Sequence, residues 1–215
     1  MFAGIKQACA EVAARAQHVK LEATDLKTYA ATLQMEALEP LSYDADHHFL
    51  GSPEDTLAYL LTLDAINFGS GYFPHLQKRP GLSGYCTVAL SLKERFEQNG
   101  PFSPQVLLEL SPQDCAALFR QPPGNEVRDD LMRLFARALN DLGKWVLERY
   151  AGEFVNVIEA AGGSAEKLAL TLAEMPFFQD VAVYRGASVP LYKRAQITPS
   201  DIALAFGDEG VIWAF

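Results

Sequence analysis

The stretch "TLAYLLTLDAINFGSGYFP", residues 56–74, reads as an apolar helix that carries an acid where the core should be. At 100° per residue, Leu57, Leu60, Leu61, Asp64 and Phe68 fall on one apolar stripe, with Asn67 on its edge beside Leu60. A carboxylate on a buried stripe is costly unless something binds it. Just upstream, Ser52-Pro53-Glu54-Asp55 combines a capping hydroxyl, proline at the first helical position and acids in the first turn. The same punctuation recurs at Ser111-Pro112-Gln113-Asp114 and Thr198-Pro199-Ser200-Asp201, and predicts a helix start at each. Residues 126–150 place Leu131, Leu134, Phe135, Ala138, Leu142, Trp145 and Val146 at helical spacing, while residues 2–20 and 24–38 give shorter helical patterns. The predicted fold is therefore mainly α. The exception is "VAVYRGASVPLYKRAQI", residues 181–197, where β-branched and aromatic residues flank Arg185-Gly186-Ala187 and predict a β-hairpin or small sheet against the helices. "RQPPGNE" at 120–126 and "EAAGGSAEK" at 159–167 read as loops leading into helices. With no internal repeat and no linker-like stretch, residues 1–215 read as a single compact helical domain.

Composition narrows the function classes. The chain is 49% hydrophobic with 11% aromatic residues, ample for a packed core, and has no low-complexity tract. A net charge of −9 and a pI near 4.9 argue against nucleic acid or an anionic membrane as a partner, while a small local basic pocket remains compatible. Cys9, Cys86 and Cys115 are scattered, with no CxxC or Cys/His ligand spacing, which points to a reducing cytoplasm, buried thiols and no structural zinc. The residues after Met1 do not resemble a signal peptide, and no apolar run reaches membrane-spanning length. The expectation is a cytoplasmic monomer without metal or cofactor.

Three polar clusters stand out, each with two readings. Asp64 and Asn67 lie three apart and point to one side of a helical turn. A carboxylate there can accept two parallel N–H bonds from a guanine-like base, with the amide serving a neighbouring atom; alternatively Asp64 caps backbone amides or meets a buried Arg or Lys. In "DADHHFLG", residues 44–51, one of His47 and His48 can line a pocket while the other is solvated, or both belong to an ordinary loop. In "LYKRAQITPSD", residues 191–201, Lys193 and Arg194 precede a helix N-terminus, a good arrangement for a phosphate or simply a pair of surface charges. A glycine-rich phosphate loop is absent.

"LDAINF" at 63–68, "SGY" at 83–85, "GEFVNVIEAAGGSAEKL" at 152–168 and "MPFFQDVAVYRGASVPLYKRAQI" at 175–197, in this order and with the histidine loop before them, resemble the queuosine salvage proteins, also called queuosine 5′-phosphate N-glycosylases or hydrolases. The resemblance spans roughly residues 40–205. It implies a helical domain similar to helical DNA glycosylases and release of the 7-deazaguanine base queuine from queuosine 5′-monophosphate, a small-molecule substrate on the path to tRNA modification. It further implies that Asp64 and Asn67 read the base edge, that Phe68 forms an apolar wall, and that His48 lines the same pocket. Asn156 and Lys167 would serve the pocket less directly. Lys193, with Tyr192 and Arg194 beside it, would sit near the ribose or the 5′-phosphate and act as the catalytic residue of this chain.

The chemistry makes its own demands. Cleavage passes through an oxocarbenium-like sugar that needs a carboxylate to stabilise it, and a 7-deazapurine leaves without the protonation at N7 that assists a purine. Family members look longer than this chain, which stops at "GVIWAF", and the main catalytic aspartate is expected beyond Phe215, in a C-terminal segment that the chain is expected to lack. Asp201 is set aside because it fits the cap of Thr198 and Pro199. The alternative function is a protein that binds queuine or its nucleotide without cleaving it.

Overall fold

The computed structural model describes residues 3–20, 22–33 and 41–207. Local capping accounts for most of its helix starts. Ser52 Oγ accepts from the Asp55 amide at 3.1 Å and opens α3, Pro53–Ala65. Ser83 opens α4, Gly84–Asn99, and Ser103 opens α5, Pro104–Glu109. Ser111 and Asp114 form a reciprocal capping box at α6, Pro112–Leu118. Asn125 caps α7, Glu126–Arg149; α8, Phe154–Ala160, follows, and Ser164 caps α9, Ala165–Leu172. Each cap satisfies an amide that the first helical turn leaves unpaired.

Two compact units emerge. The smaller comprises residues 1–42 and 181–191 and contains α1, Ala3–Ala14, and α2, Ala23–Thr32, with the strands β1, Val181–Tyr184, and β2, Ala187–Pro190. The strands pair antiparallel, Tyr184 opposite Ala187, and the sheet lies against α1. Arg185 and Gly186 both take left-handed φ, 53° and 79°, as a two-residue hairpin turn requires. The helical pattern of residues 2–20 thus ends at Ala14, and residues 34–38 of the second pattern lie outside the described residues, as does the terminal "GVIWAF".

The larger unit, residues 43–180 and 192–215, holds α3 to α9 and α10, Ile197–Phe206. The amphipathic stripe expected for α3 is corrected: every residue from Thr56 to Ala65 is buried, because α4, α7, α8 and α10 all pack on it. Burial of the cysteines also holds for Cys115 alone, since Cys86 is half-buried and Cys9 exposed. Among the described residues no helix is long and apolar enough to cross a membrane.

The 24-residue α7 buries Leu131, Phe135, Leu139, Leu142 and Val146 and receives α5 and α6 along its flank. Gly143 permits the closest approach: a Cβ there would meet the Pro104 carbonyl oxygen and come within 2.7 Å of the Leu108 nitrogen. Backbone atoms cannot rotate away as a side chain can. Gly143→Ala is therefore expected to destabilise the protein by about 3 kcal/mol, read as a lower urea midpoint; an unchanged midpoint would show that α5 shifts freely.

Candidate functional site

Four segments of the larger unit converge on Asp64: the end of α3, the loop 43–48, the first turn of α4 and the first turns of α10. Asp64 lies in the last turn of α3 and is 1% exposed. Neither carboxyl oxygen has a hydrogen-bond partner among the described residues. Asp201, Thr198 and Asn67 are nevertheless its polar neighbours. Burial, and then the charge of Asp201, raise the Asp64 carboxyl well above the usual carboxylate range. Burial pushes Asp201 up to about 6, against the opposing influence of His48 and of Asp64 itself. Asp64 is the deeper of the two acids, and burial together with the charge of its neighbour disfavours ionising both carboxyls.

The setting aside of Asp201 is corrected here. Thr198 is not a cap: α10 begins at Ile197, after Gln196, and Thr198 and Pro199 are buried within its first turn. Asp201 is consequently the fifth helical residue, too far along to cap, and it turns towards Asp64. Thr198 Oγ1 is itself buried without a hydrogen-bond partner.

The loop 43–48 is built by Asp44. Its side chain accepts from the amides of Asp46 and His47 at 3.1 and 3.3 Å, a turn that asparagine and aspartate favour. Lys93 Nζ steadies the same turn through the carbonyls of Ala45 and Asp46. The two histidines then part. His47 Nδ1 pairs with the Asp44 carboxylate at 2.8 Å, which holds that acid below the usual carboxylate range. His48 is half-buried between the rings of Tyr43 and Tyr85, at centroid distances of 5.7 and 5.6 Å. Burial and the nearby acids push both tyrosine hydroxyls up.

Asn67 and Phe68 lie beyond the end of α3, not on its stripe, although the turn continues through Ile66 to Asn67, whose amide reaches the Asp64 carbonyl at 3.2 Å. Phe68 is half-buried, stacked on Phe177 at 5.4 Å and edge-on to Phe135. Arg194 faces inward: Nη2 donates to the carbonyls of Ala65 and Asp64 at 3.1 and 3.5 Å, and the guanidinium lies 4.7 Å from the Phe68 ring centre and 5.2 Å from that of Phe178. Its own amide donates to Asp180 at 2.5 Å. Arg194 thus caps the last carbonyls of α3, a favourable place for a cation.

Lys193 is exposed in the turn that joins Tyr192 to Gln196, with Tyr192 half-buried at a left-handed φ of 56°. Asn156, on α8, donates to the Tyr150 carbonyl at 3.0 Å, and Lys167 is exposed on α9. The structure therefore gathers His48, Asp64, Asn67 and Phe68 and adds Asp201, Thr198, Tyr43 and Tyr85, which residue spacing did not single out. Asp201 had a signal that pointed elsewhere, its resemblance to a capping acid; Tyr43 carried none.

Comparison with known proteins agrees with this composition. A family profile described as "Queuosine salvage protein" matches residues 47–215. The queuosine 5′-phosphate N-glycosylase/hydrolase of Sphaerobacter thermophilus is 33% identical over 208 residues, which cover 94% of this chain and 63% of the relative. That of Mus musculus is 30% identical over 159 residues, covering 70% of this chain and 46% of the relative. The matched part is thus less than two thirds of either relative's length. With the match extending through the histidine loop, the Asp64 turn and α10, the chain belongs to the queuosine salvage protein family.

Proposed function

We propose that this protein hydrolyses the N-glycosidic bond of queuosine 5′-monophosphate and releases queuine for salvage. One observation carries the reading: a fully buried carboxyl, Asp64, with both oxygens unpartnered and a second acid beside it. Such a pair is costly in an empty site and is offset by a ligand that supplies hydrogen bonds. Two adjacent carboxyls offer several acceptor oxygens, the complement of the ring N–H and amino group on a 7-deazaguanine edge. In this reading His48 lines the pocket, Asn67 adds to its polar wall and Phe68 forms the apolar one. Arg194 acts through α3 by holding the turn that bears Asp64. Asn156 and Lys167 act at a distance through α8 and α9, the latter packed on α10.

Lys193 and Tyr192 serve the ribosyl phosphate. An exposed ammonium in the turn that leads into α10 is suited to a dianionic phosphate, and its loss removes little from folding. Lys193→Ala is expected to slow queuine release by about ten- to a hundredfold, with an unchanged melting temperature. Equal turnover in the variant would remove Lys193 from the reaction.

The reading is tested by incubating the chain with queuosine 5′-monophosphate and separating the products by chromatography. Binding of the nucleotide is expected, and free queuine with ribose 5-phosphate in equal amounts would show that the carboxylate serving the sugar lies within residues 1–215. Binding without release would retain the recognition site and remove hydrolysis by residues 1–215; neither would overturn the assignment.

A further inference from the structure

The hydrogen bonds around His48 have a direction. The backbone carbonyl of Asp44 can only accept, so the Nδ1 atom 2.9 Å from it carries a hydrogen. In the neutral imidazole Nε2 is then a lone pair, and the Tyr85 hydroxyl 2.8 Å away donates to it. A phenol has one hydrogen. Once that hydrogen is committed to His48, the Tyr85 oxygen has only lone pairs for anything else it meets. The Tyr43 hydroxyl is committed in the same way, donating to the Phe49 carbonyl at 2.7 Å. The two rings flank the imidazole and restrain its rotation, so neither commitment is easily reversed. Tyr85 stands in the first turn of α4, which packs on α3, and the charges of Asp64 and Asp201 act on both hydroxyls.

We propose that Tyr85 determines base specificity: the chain from the Asp44 carbonyl through His48 makes the Tyr85 oxygen a fixed acceptor beside Asp64 and Asp201, selecting a base whose edge carries adjacent N–H donors. The inference rests on the proposed function and specifies how its base is chosen. A guanine-type edge presents a ring N–H and an amino group to such a surface. An adenine-type edge presents a ring lone pair, which meets acceptors and is rejected, because a buried site left without its hydrogen bonds discriminates strongly.

Two measurements on the full chain test it. Nitrogen NMR of the labelled protein at alkaline pH reads the tautomer of His48 directly: a hydrogen on Nδ1 is expected, and a hydrogen on Nε2 overturns the relay whatever the site binds. Calorimetry with queuosine 5′-monophosphate then reads its effect. Tyr85→Phe and His48→Ala are each expected to weaken binding by about ten- to a hundredfold, and the double variant by no more than either alone, since both break one chain. Unaltered binding in Tyr85→Phe, or losses that simply multiply in the double variant, would overturn the proposal. A wild-type chain that fails to bind would overturn the proposed function and the base specificity with it, and the tautomer would still be read independently.

Discussion

Asp201→Asn is expected to stabilise the protein above about pH 6 by on the order of 3 kcal/mol, while weakening nucleotide binding. The folded state raises this carboxyl from its ordinary value to about 6, so it binds a proton more tightly than the unfolded chain does. Folding stability from this group is therefore fully present below the ordinary carboxylate range, falls as pH rises through the interval from about 4 to 6, and is absent above it. Asparagine does not titrate, and the variant loses that slope. Asp64 is raised in the same direction, so its amide variant is expected to shift stability with the same sign. Asp44, Glu94 and Asp114 are lowered, and their contributions disappear at more acidic pH and cancel between wild type and variant. Urea unfolding of both proteins from about pH 4 to 8 measures the difference. A variant less stable than wild type at the alkaline end would show that the pair supports the fold, and would remove the argument that a ligand is needed to offset it.

Arg194→Ala is expected to destabilise the protein by about 3 kcal/mol, the scale of losing charge-assisted hydrogen bonds together with aromatic contacts around a cation. The guanidinium serves the carbonyls of Asp64 and Ala65 and packs on Phe68 and Phe178, so its removal leaves the end of α3 unsatisfied in a buried place. Arg194→Lys is expected to recover only part of the loss, because an ammonium has neither the planar fork nor the flat face that rests on a ring. The urea midpoint reads stability, and calorimetry with the nucleotide reads the site. Binding should weaken even well below the unfolding midpoint, because the turn that carries Asp64 loosens. A stability change below about 0.5 kcal/mol would show that water replaces the clamp.

Most local signals along the chain hold in the structure, the cap expected at Thr198 excepted. Ser52 and Ser111 cap because a hydroxyl three residues before a free amide needs no distant partner. The hairpin at Arg185-Gly186 follows from a two-residue turn, and α7 from its own periodicity. The oddness of Asp64 was visible for the same reason, since a charge among leucines is anomalous wherever the helix lies, and the family resemblance rested on segments that can be read in order along the chain. Tertiary structure decided the rest. It buried α3 on every side, began α10 one residue before Thr198, and so turned Asp201 from a supposed cap into the partner of Asp64. It also directed Arg194 to the end of α3 instead of to solvent. Caps, turns and periodicity are interactions between near neighbours and are written in the sequence itself; the pairing of two buried acids, the partners of His48 and the target of a guanidinium depend on distances between segments remote in the chain, which only packing sets.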